Sequence, residues 1–177
     1  VEATVFSGRN AIAVEMGRVS FRSTDIPVAG PEREVINETI ELECGTRRFC
    51  AATIGNPHAV FPVESATAEE VERIGPVVER HDLFPNRTNV QVLEVVDRHA
   101  IRIEIWERGA GYTLASGSSS SACAAVARKL GRVDASVTVH CRGGDLEIEV
   151  SDAYDIRMTG PVTRIGSMEA DPEMFGF

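Results

Sequence analysis

The stretch from Ser119 to Leu130 is the sequence feature that most constrains the fold of this 177-residue chain. Its centre, from Ala122 to Ala127, holds only alanine, cysteine and valine, which suits a helix that is apolar on most sides. Gly131 is placed to end that helix. Because such a helix has no face that favours water, the rest of the chain must cover it, and we predict a central buried helix.

Most of the remaining sequence is typical of short strands. Ile101, Ile103 and Ile105 alternate with polar or bulky residues, and a similar period-two pattern runs from Leu146 to Val150. Half-buried strands with one face in water are typical of antiparallel sheets. The sequence therefore predicts an α+β fold in which an antiparallel, barrel-like sheet wraps around the central helix. We expect residues 1–177 to form one domain.

A further helix is predicted to begin near Thr67. Thr67 and Glu70 have the spacing of a capping box, and apolar residues follow at helical intervals. The dipeptide Gly75-Pro76 predicts a break, after which a second short helical piece would cover residues 77–81.

Charge and cysteine content favour some classes of protein over others. The chain has 18 Lys and Arg against 27 Asp and Glu, a net charge of −9, which opposes binding to nucleic acid. No run approaches the ~18 apolar residues of a membrane helix, so we expect no membrane partner. Four cysteines without a CxxC pair favour reduced thiols, no metal and a cytoplasmic location, although Cys44 and Cys50 could meet across a hairpin.

The segment from Trp106 to Cys123 is the richest in groups that could carry chemistry. A strand ends at Glu107-Arg108, a glycine-rich turn follows, and a hydroxyl-rich loop opens the apolar helix. The N-terminus of a helix offers free N–H groups and a partial positive charge, and small residues allow an anion to approach. Residues 117–119 could therefore bind a carboxylate or a phosphate. A helix cap made of serines is the alternative.

Two polar turns are further candidates. Gly55-Asn56-Pro57-His58 follows one predicted strand, and Asn89 opens another. Each asparagine amide can both donate and accept hydrogen bonds, as a substrate-binding residue does. Read alone, each segment is equally well explained as an ordinary turn.

Taken together and in order, these segments resemble the diaminopimelate epimerase family. The resemblance extends over nearly the whole chain but matches the second half of the family's usual length. The matching segments are Gly55-Asn56-Pro57-His58, Arg87-Thr88-Asn89-Val90, Trp106-Glu107-Arg108-Gly109-Ala110-Gly111 and Ala115-Ser116-Gly117, with Met16-Gly17 and Met158-Thr159-Gly160-Pro161 as weaker matches.

The resemblance implies a fold and a reaction. The family has two similar domains, each a sheet around a central helix, with the active site in the cleft between them. It epimerises an amino acid at the α-carbon without a cofactor: one thiolate removes the proton and a thiol from the other domain delivers one to the opposite face. The expected activity is conversion of LL- to meso-diaminopimelate, which supplies lysine and peptidoglycan synthesis in the cytoplasm.

The resemblance also assigns residues to the substrate. Asn56 and Asn89 match substrate-binding asparagines of the family. Glu107 and Arg108 match the pair that grips the remote amino-acid end of diaminopimelate. His58 matches a motif histidine that we assign to the surroundings of the site.

At the reacting centre the sequence departs from the family. Gly117 and Ser118 match the loop that binds the reacting carboxylate, but Ser116 stands in the place of the catalytic cysteine of the second domain. A serine hydroxyl is a far weaker acid than a thiol, whose pKa is near ~8.5. Tyr112 replaces the usual glutamate, and serines at 118–120 replace a Gly-Thr-Gly run.

The sequence is compatible with three functions. The chain could be half of an amino-acid epimerase that needs an N-terminal catalytic domain or a partner chain. It could be a one-base relative, such as a dehydratase or double-bond isomerase acting on a small carboxylic acid. It could also be a non-catalytic amino-acid-binding domain. An exposed domain interface would further favour a homo-oligomer.

Overall fold

The computed structural model describes residues 2–6, 8, 10–167 and 169–176. These residues form eleven strands, two α-helices and one short 3₁₀ helix. The strands are β1 (Ala3–Phe6), β2 (Ala11–Arg18), β3 (Glu38–Leu42), β4 (Gly45–Thr53), β5 (Pro57–Val63), β6 (Asn89–Asp97), β7 (Ala100–Glu107), β8 (Gly111–Thr113), β9 (Ser136–Cys141), β10 (Gly144–Val150) and β11 (Asp155–Pro161). The helices are α1 (Ala68–Glu79) and α2 (Gly117–Lys129), and the 3₁₀ helix covers Pro172–Phe175.

All eleven strands belong to one sheet of order β1-β2-β11-β10-β9-β7-β6-β5-β4-β3, with β8 paired to the end of β7. The pairs β5–β6 and β7–β9 are parallel, and the other neighbours are antiparallel. The expected purely antiparallel sheet is therefore wrong, because α1 and α2 serve as crossover connections between parallel strands. Closure into a barrel is also wrong: within the described ranges, β1 and β3 lie at opposite ends of the strand order.

Helix α2 lies at the centre of the fold, as predicted. Its residues Ser119 to Ala127 are buried, and it contacts strands β4, β5, β6, β7, β9, β10 and β11. Small side chains let the strands approach the helix from several directions. The helix begins at Gly117, two residues before the predicted start, because Ser116 serves as the N-cap. The α+β class with a buried central helix is confirmed.

Helix α1 covers the opposite face of the sheet. Along β6, Leu93 packs with the core around α2, whereas Val90 and Val92 pack with the core around α1. Successive side chains of a strand point to opposite faces, so the middle of the sheet is buried on both sides. This explains why β4, β5 and β6 contain continuous buried runs.

The predicted break in the first helix is wrong. Helix α1 continues through Pro76 to Glu79, with Arg80 as its C-cap. A proline inside a helix removes one hydrogen bond. Here the buried face of α1, which includes Ile74 and Val78, packs on the sheet and holds the helix together.

The remaining sequence expectations concern cysteines and membranes. Cys44 is exposed while Cys50, Cys123 and Cys141 are buried, and all four thiols are free, so the Cys44–Cys50 pair is not formed. Neither helix in the described part of the chain has the length and apolar character needed to cross a membrane.

We predict that Gly75→Ala destabilises the protein. A Cβ atom at Gly75 would lie 2.5 Å from Cγ of Trp106, so the indole or the helix would have to move. We expect a loss of about 1–3 kcal/mol in the free energy of unfolding, measured by urea denaturation. Val77→Ala, at a half-exposed position of the same helix, is the control and should change stability little. Equal effects of the two substitutions would contradict the packing argument.

Candidate active site

The N-terminus of α2 is the centre of the candidate site. The Ser116 side chain accepts a hydrogen bond from the Ser119 N–H at 3.5 Å, and its carbonyl accepts from the Ser120 N–H at 3.0 Å. The N–H groups of Gly117 and Ser118 precede the first bond within the helix. The first turn contains no acidic residue. This terminus can therefore attract an anion through the backbone and the helix dipole.

Close packing fixes the position of this terminus. A Cβ atom at Gly117 would lie 3.0 Å from Sδ of Met158 and 3.7 Å from Cε of Met16. The segments around Met16 and Met158, which lie far apart in the sequence, thus meet on β2 and β11 beneath the start of α2. A larger residue at position 117 would require the end of the Met158 side chain to move.

Asn56 reaches the same terminus from the start of β5. Its Nδ2 donates to Oγ of Ser118 at 3.3 Å, and its Oδ1 lies 3.0 Å from Nε2 of His58. Burial lowers the pKa of His58 to about 4, so the ring is neutral at pH 7. Because an amide oxygen only accepts, Nε2 carries the proton. His58 therefore fixes which way the Asn56 amide points.

Gln91 is a site residue that the sequence analysis missed. It lies on β6, fully buried, and its Nε2 donates to Oγ of Ser119 at 3.1 Å. The only signal in the sequence is one glutamine inside the apolar start of that strand. Within the described residues, Gln91 Oε1 and His58 Nδ1 are buried without a hydrogen-bond partner. The floor of the site thus contains polar atoms in an otherwise apolar core.

Asn89 joins two parts of the site. Its Nδ2 donates to the carbonyl of Pro57 at 2.9 Å, and its Oδ1 accepts from the backbone N–H of Arg108, also at 2.9 Å. The buried amide therefore ties the start of β5 to the end of β7. The structure places Asn89 within the site, and its contact with substrate stays a prediction.

Glu107 and Arg108 lie where β7 ends. Glu107 follows Ile103 and Ile105 in the period-two pattern, and both isoleucines pack in the core around α2. Glu107 is therefore on the α2 face of the sheet. The Arg108 side chain is exposed, and its Nη1 donates to the carbonyl of Asn86 at 3.0 Å.

Tyr112 points away from this face. It pairs with Trp106 across β7 and β8, and both residues pack with the core around α1. Its hydroxyl donates to Oε2 of Glu104 at 2.6 Å. Burial and the Glu104 carboxylate raise the pKa of Tyr112. The residue that replaces the expected glutamate thus joins the two strands from the side opposite Glu107.

The chemistry available to Ser116 is limited. In the part of the chain that the structure describes, its Oγ has two polar neighbours, the Ser119 N–H and Oγ of Ser118 at 3.5 Å. Cys141 lies under the same turn, with Sγ 3.4 Å from Oγ of Ser120. Burial raises the pKa of the Cys141 thiol, which keeps it neutral. Neither the Ser118 hydroxyl nor the neutral Cys141 thiol provides a base for the Ser116 hydroxyl.

Sequence comparisons identify the family to which the chain is similar. The family model described as diaminopimelate epimerase matches residues 50–165. The chain is 53% identical to diaminopimelate epimerase 2 of Nostoc sp. over 175 residues, which cover 99% of this chain and 61% of that protein. It is 43% identical to the diaminopimelate epimerase of Moorella thermoacetica, covering 87% of this chain and 56% of that protein. The chain thus spans about three fifths of the length of these relatives.

Comparison with solved structures agrees on the fold. A hydroxyproline epimerase from Agrobacterium vitis superposes with a TM-score of 0.65 at 17% identity, over 90% of this chain and 52% of that one. A probable proline racemase from Agrobacterium radiobacter gives a TM-score of 0.63 at 16% identity, over 96% and 57%. At these identities the likeness concerns the fold alone.

We predict that His58 makes the protein less stable in mild acid. Its pKa is about 4 when folded and near 6.5 when unfolded, so the unfolded chain binds more protons between these values. Stability should fall as the pH drops from 6.5 to 4, by about 3 kcal/mol in total. Urea unfolding of wild type and His58→Gln at pH 7 and pH 4.5 measures this contribution. Equal acid-induced losses in the two proteins would contradict it.

Proposed function

This chain belongs to the diaminopimelate epimerase family, and we propose that it forms the substrate-binding half of an amino-acid epimerase of the diaminopimelate type. The observation that carries the proposal is the N-terminus of α2, where Asn56 meets Ser118 beside the backbone N–H groups of Gly117 and Ser118, for which the described residues provide no acceptor. The proposed reaction converts LL- to meso-diaminopimelate in the cytoplasm, without a cofactor, and supplies lysine and peptidoglycan synthesis.

The substrate would be held at its two ends. The reacting carboxylate would accept from the N–H groups of Gly117 and Ser118, with the Asn56 amide at its side. The remote amino-acid end carries both an ammonium and a carboxylate, which match the opposite charges of Glu107 and Arg108. Both ends of the site lie at the same edge of the sheet, because β6 begins and β7 ends there.

The same N-terminus favours removal of the α-proton. As the proton leaves, negative charge develops on the carboxylate, where backbone N–H groups stabilise it. The helix dipole acts in the same direction. These groups are rigid before the substrate binds, so little reorganisation accompanies the reaction.

We place the proton-abstracting thiolate outside this chain. Ser116 has no neighbouring base among the residues that the structure describes, and a hydroxyl stays protonated at neutral pH, so it would cap the helix and donate a hydrogen bond. A further domain or a partner chain would supply the base.

Serine at position 116 favours one alternative function. A site with one thiolate can remove a proton and expel a leaving group, or return the proton elsewhere, without a second acid on the opposite face. A dehydratase or double-bond isomerase acting on a small carboxylic acid would fit this chemistry. Products from a panel of amino acids and hydroxy acids distinguish it from an epimerase once the chain is combined with the domain or partner that supplies the thiolate, and a non-catalytic binding domain would transform none of them even then.

We predict that the chain binds diaminopimelate without exchanging its α-proton. Calorimetry should detect binding, and Asn56→Ala should weaken it about tenfold through the lost amide hydrogen bond. Thr24→Ala, at an exposed position outside the site, is the control and should leave the affinity unchanged. Mass spectrometry in heavy water should show no α-deuterium. Absence of binding overturns the proposal, and deuterium uptake would show that this chain contains a working base.

We also predict that Ser116→Cys creates an acidic thiol. A thiol at the N-cap of α2 lies at the positive end of the helix dipole, so its pKa should fall below the ~8.5 of a free cysteine. The pH dependence of alkylation measures this value in a Cys44→Ser background, which removes the exposed native thiol. The Cys44→Ser single variant is the control. A pKa at or above the free value would argue against an anion-binding terminus.

A further inference from the structure

Glu79, the last residue of α1, is a buried carboxylate that the proposed reaction does not use. Its side chain is 4% exposed, and its Oε2 accepts from Nε1 of Trp106 at 2.8 Å. Its Oε1 accepts from the backbone N–H of Gly109 at 3.1 Å and lies 3.7 Å from Nη1 of Arg87. A buried charge of this kind is costly unless it is paired, so each of these contacts is needed.

The two N–H donors flank the residues assigned to the distal end of the substrate. Trp106 precedes Glu107 and Gly109 follows Arg108. On the α2 face of the sheet, Oδ1 of Asn89 accepts a hydrogen bond from the backbone N–H of Arg108. The backbone from 106 to 109 is therefore fixed by one acidic side chain on the α1 face and one amide on the other.

Glu79 is itself held in place. The carbonyl of Glu79 accepts from the N–H of Thr88 at 3.3 Å, which ties the end of α1 to the start of β6. One turn earlier, Gly75 lies so close to the Trp106 indole that no side chain fits between them. The carboxylate thus reaches the turn from a rigid helix end.

Only a carboxylate can accept hydrogen bonds from both N–H donors at this position, the Trp106 indole and the Gly109 backbone. Each of its oxygens faces one N–H group, whereas a glutamine has one accepting oxygen and an NH₂ group that would oppose a second donor. An isosteric change at Glu79 therefore leaves either Trp106 or Gly109 without its acceptor.

We propose that Glu79 is a positioning residue that sets recognition of the substrate's distal amino-acid group. It does so by fixing the turn that presents Glu107 and Arg108, and within the described residues its carboxylate has no hydrogen bond to the carboxylate site at α2. This inference rests on the proposed function. It goes further than that function, because it assigns a role in substrate selection to a residue that does not touch the substrate. Glu79 would favour amino acids that have a second zwitterionic end.

Glu79→Gln tests the proposal in the 177-residue chain. Calorimetry compares meso-diaminopimelate with alanine, which has no distal group. We expect the variant to lose about tenfold in affinity for diaminopimelate and less than twofold for alanine. Amide hydrogen exchange at Gly109 should accelerate at least about tenfold, while the amides of α2 keep their protection. Glu69→Gln, at an exposed position in the first turn of the same helix, is the control and should change neither measurement.

A second variant keeps the test decisive if Glu79→Gln is poorly folded. In Glu79→Gln combined with Trp106→Phe the indole donor is gone, so the glutamine oxygen can accept from Gly109. The double variant should recover most of the lost preference for diaminopimelate over alanine. A purely structural role predicts instead that the second substitution adds further damage.

The outcomes separate the two proposals. Equal losses for both ligands in Glu79→Gln, or unchanged exchange at Gly109, overturn the positioning role while the proposed function stands. If the wild-type chain binds neither ligand, the proposed function fails, and recognition of a distal group fails with it. The exchange rate of Gly109 then decides by itself whether Glu79 fixes the turn.

Discussion

The fold depends on the burial of α2 on all sides. A helix that is buried on most sides from Ser119 to Ala127 cannot be covered by one layer, and seven strands contact it from several directions. The sheet therefore curves around the helix. The start of the helix lies near the first residues of β5 and β6 and the last residues of β7. The polar groups at those ends gather at one point because the helix needs this cover. The candidate site is thus a consequence of how the core is built.

Burial on both faces gives the site its rigidity. In the middle of the sheet, α1 packs on one side and α2 on the other, so side chains at the strand ends are held from two directions. Asn56 is oriented by a neutral, buried histidine, and Asn89 spans two strands. Such groups lose little freedom when a ligand binds, which favours affinity and orientation. The proposed carboxylate site and the turn at Glu107 share this support.

The sequence predicted the parts that depend on local pattern. The central helix followed from its all-apolar run, and the α+β class followed from alternation in the strands. Strand direction did not follow, because alternation reports only which residues face water, and β5–β6 and β7–β9 are parallel. Pro76 was misread because tertiary packing overrides a local helix breaker. Gln91 and Glu79 escaped notice because burial of a single polar residue becomes visible only when its partners are in place. The family resemblance selected two asparagines, the pair at the end of β7 and the first residues at the α2 cap, which the fold brings to one edge of the sheet: Asn56, Asn89, Glu107, Arg108, Ser116, Gly117 and Ser118.

The anion site proposed at the cap of α2 would use main-chain N–H groups, and this has an evolutionary consequence. Every residue type except proline supplies the same peptide N–H, so the attraction for an anion does not depend on the hydroxyl of Ser118. The residue at position 116 can be exchanged for one of different reactivity while the main-chain N–H groups would still bind a carboxylate. Recognition and reactivity are therefore separable traits in this architecture. A lineage could exchange a thiol for a hydroxyl at the cap and explore a different reaction on the same class of ligand.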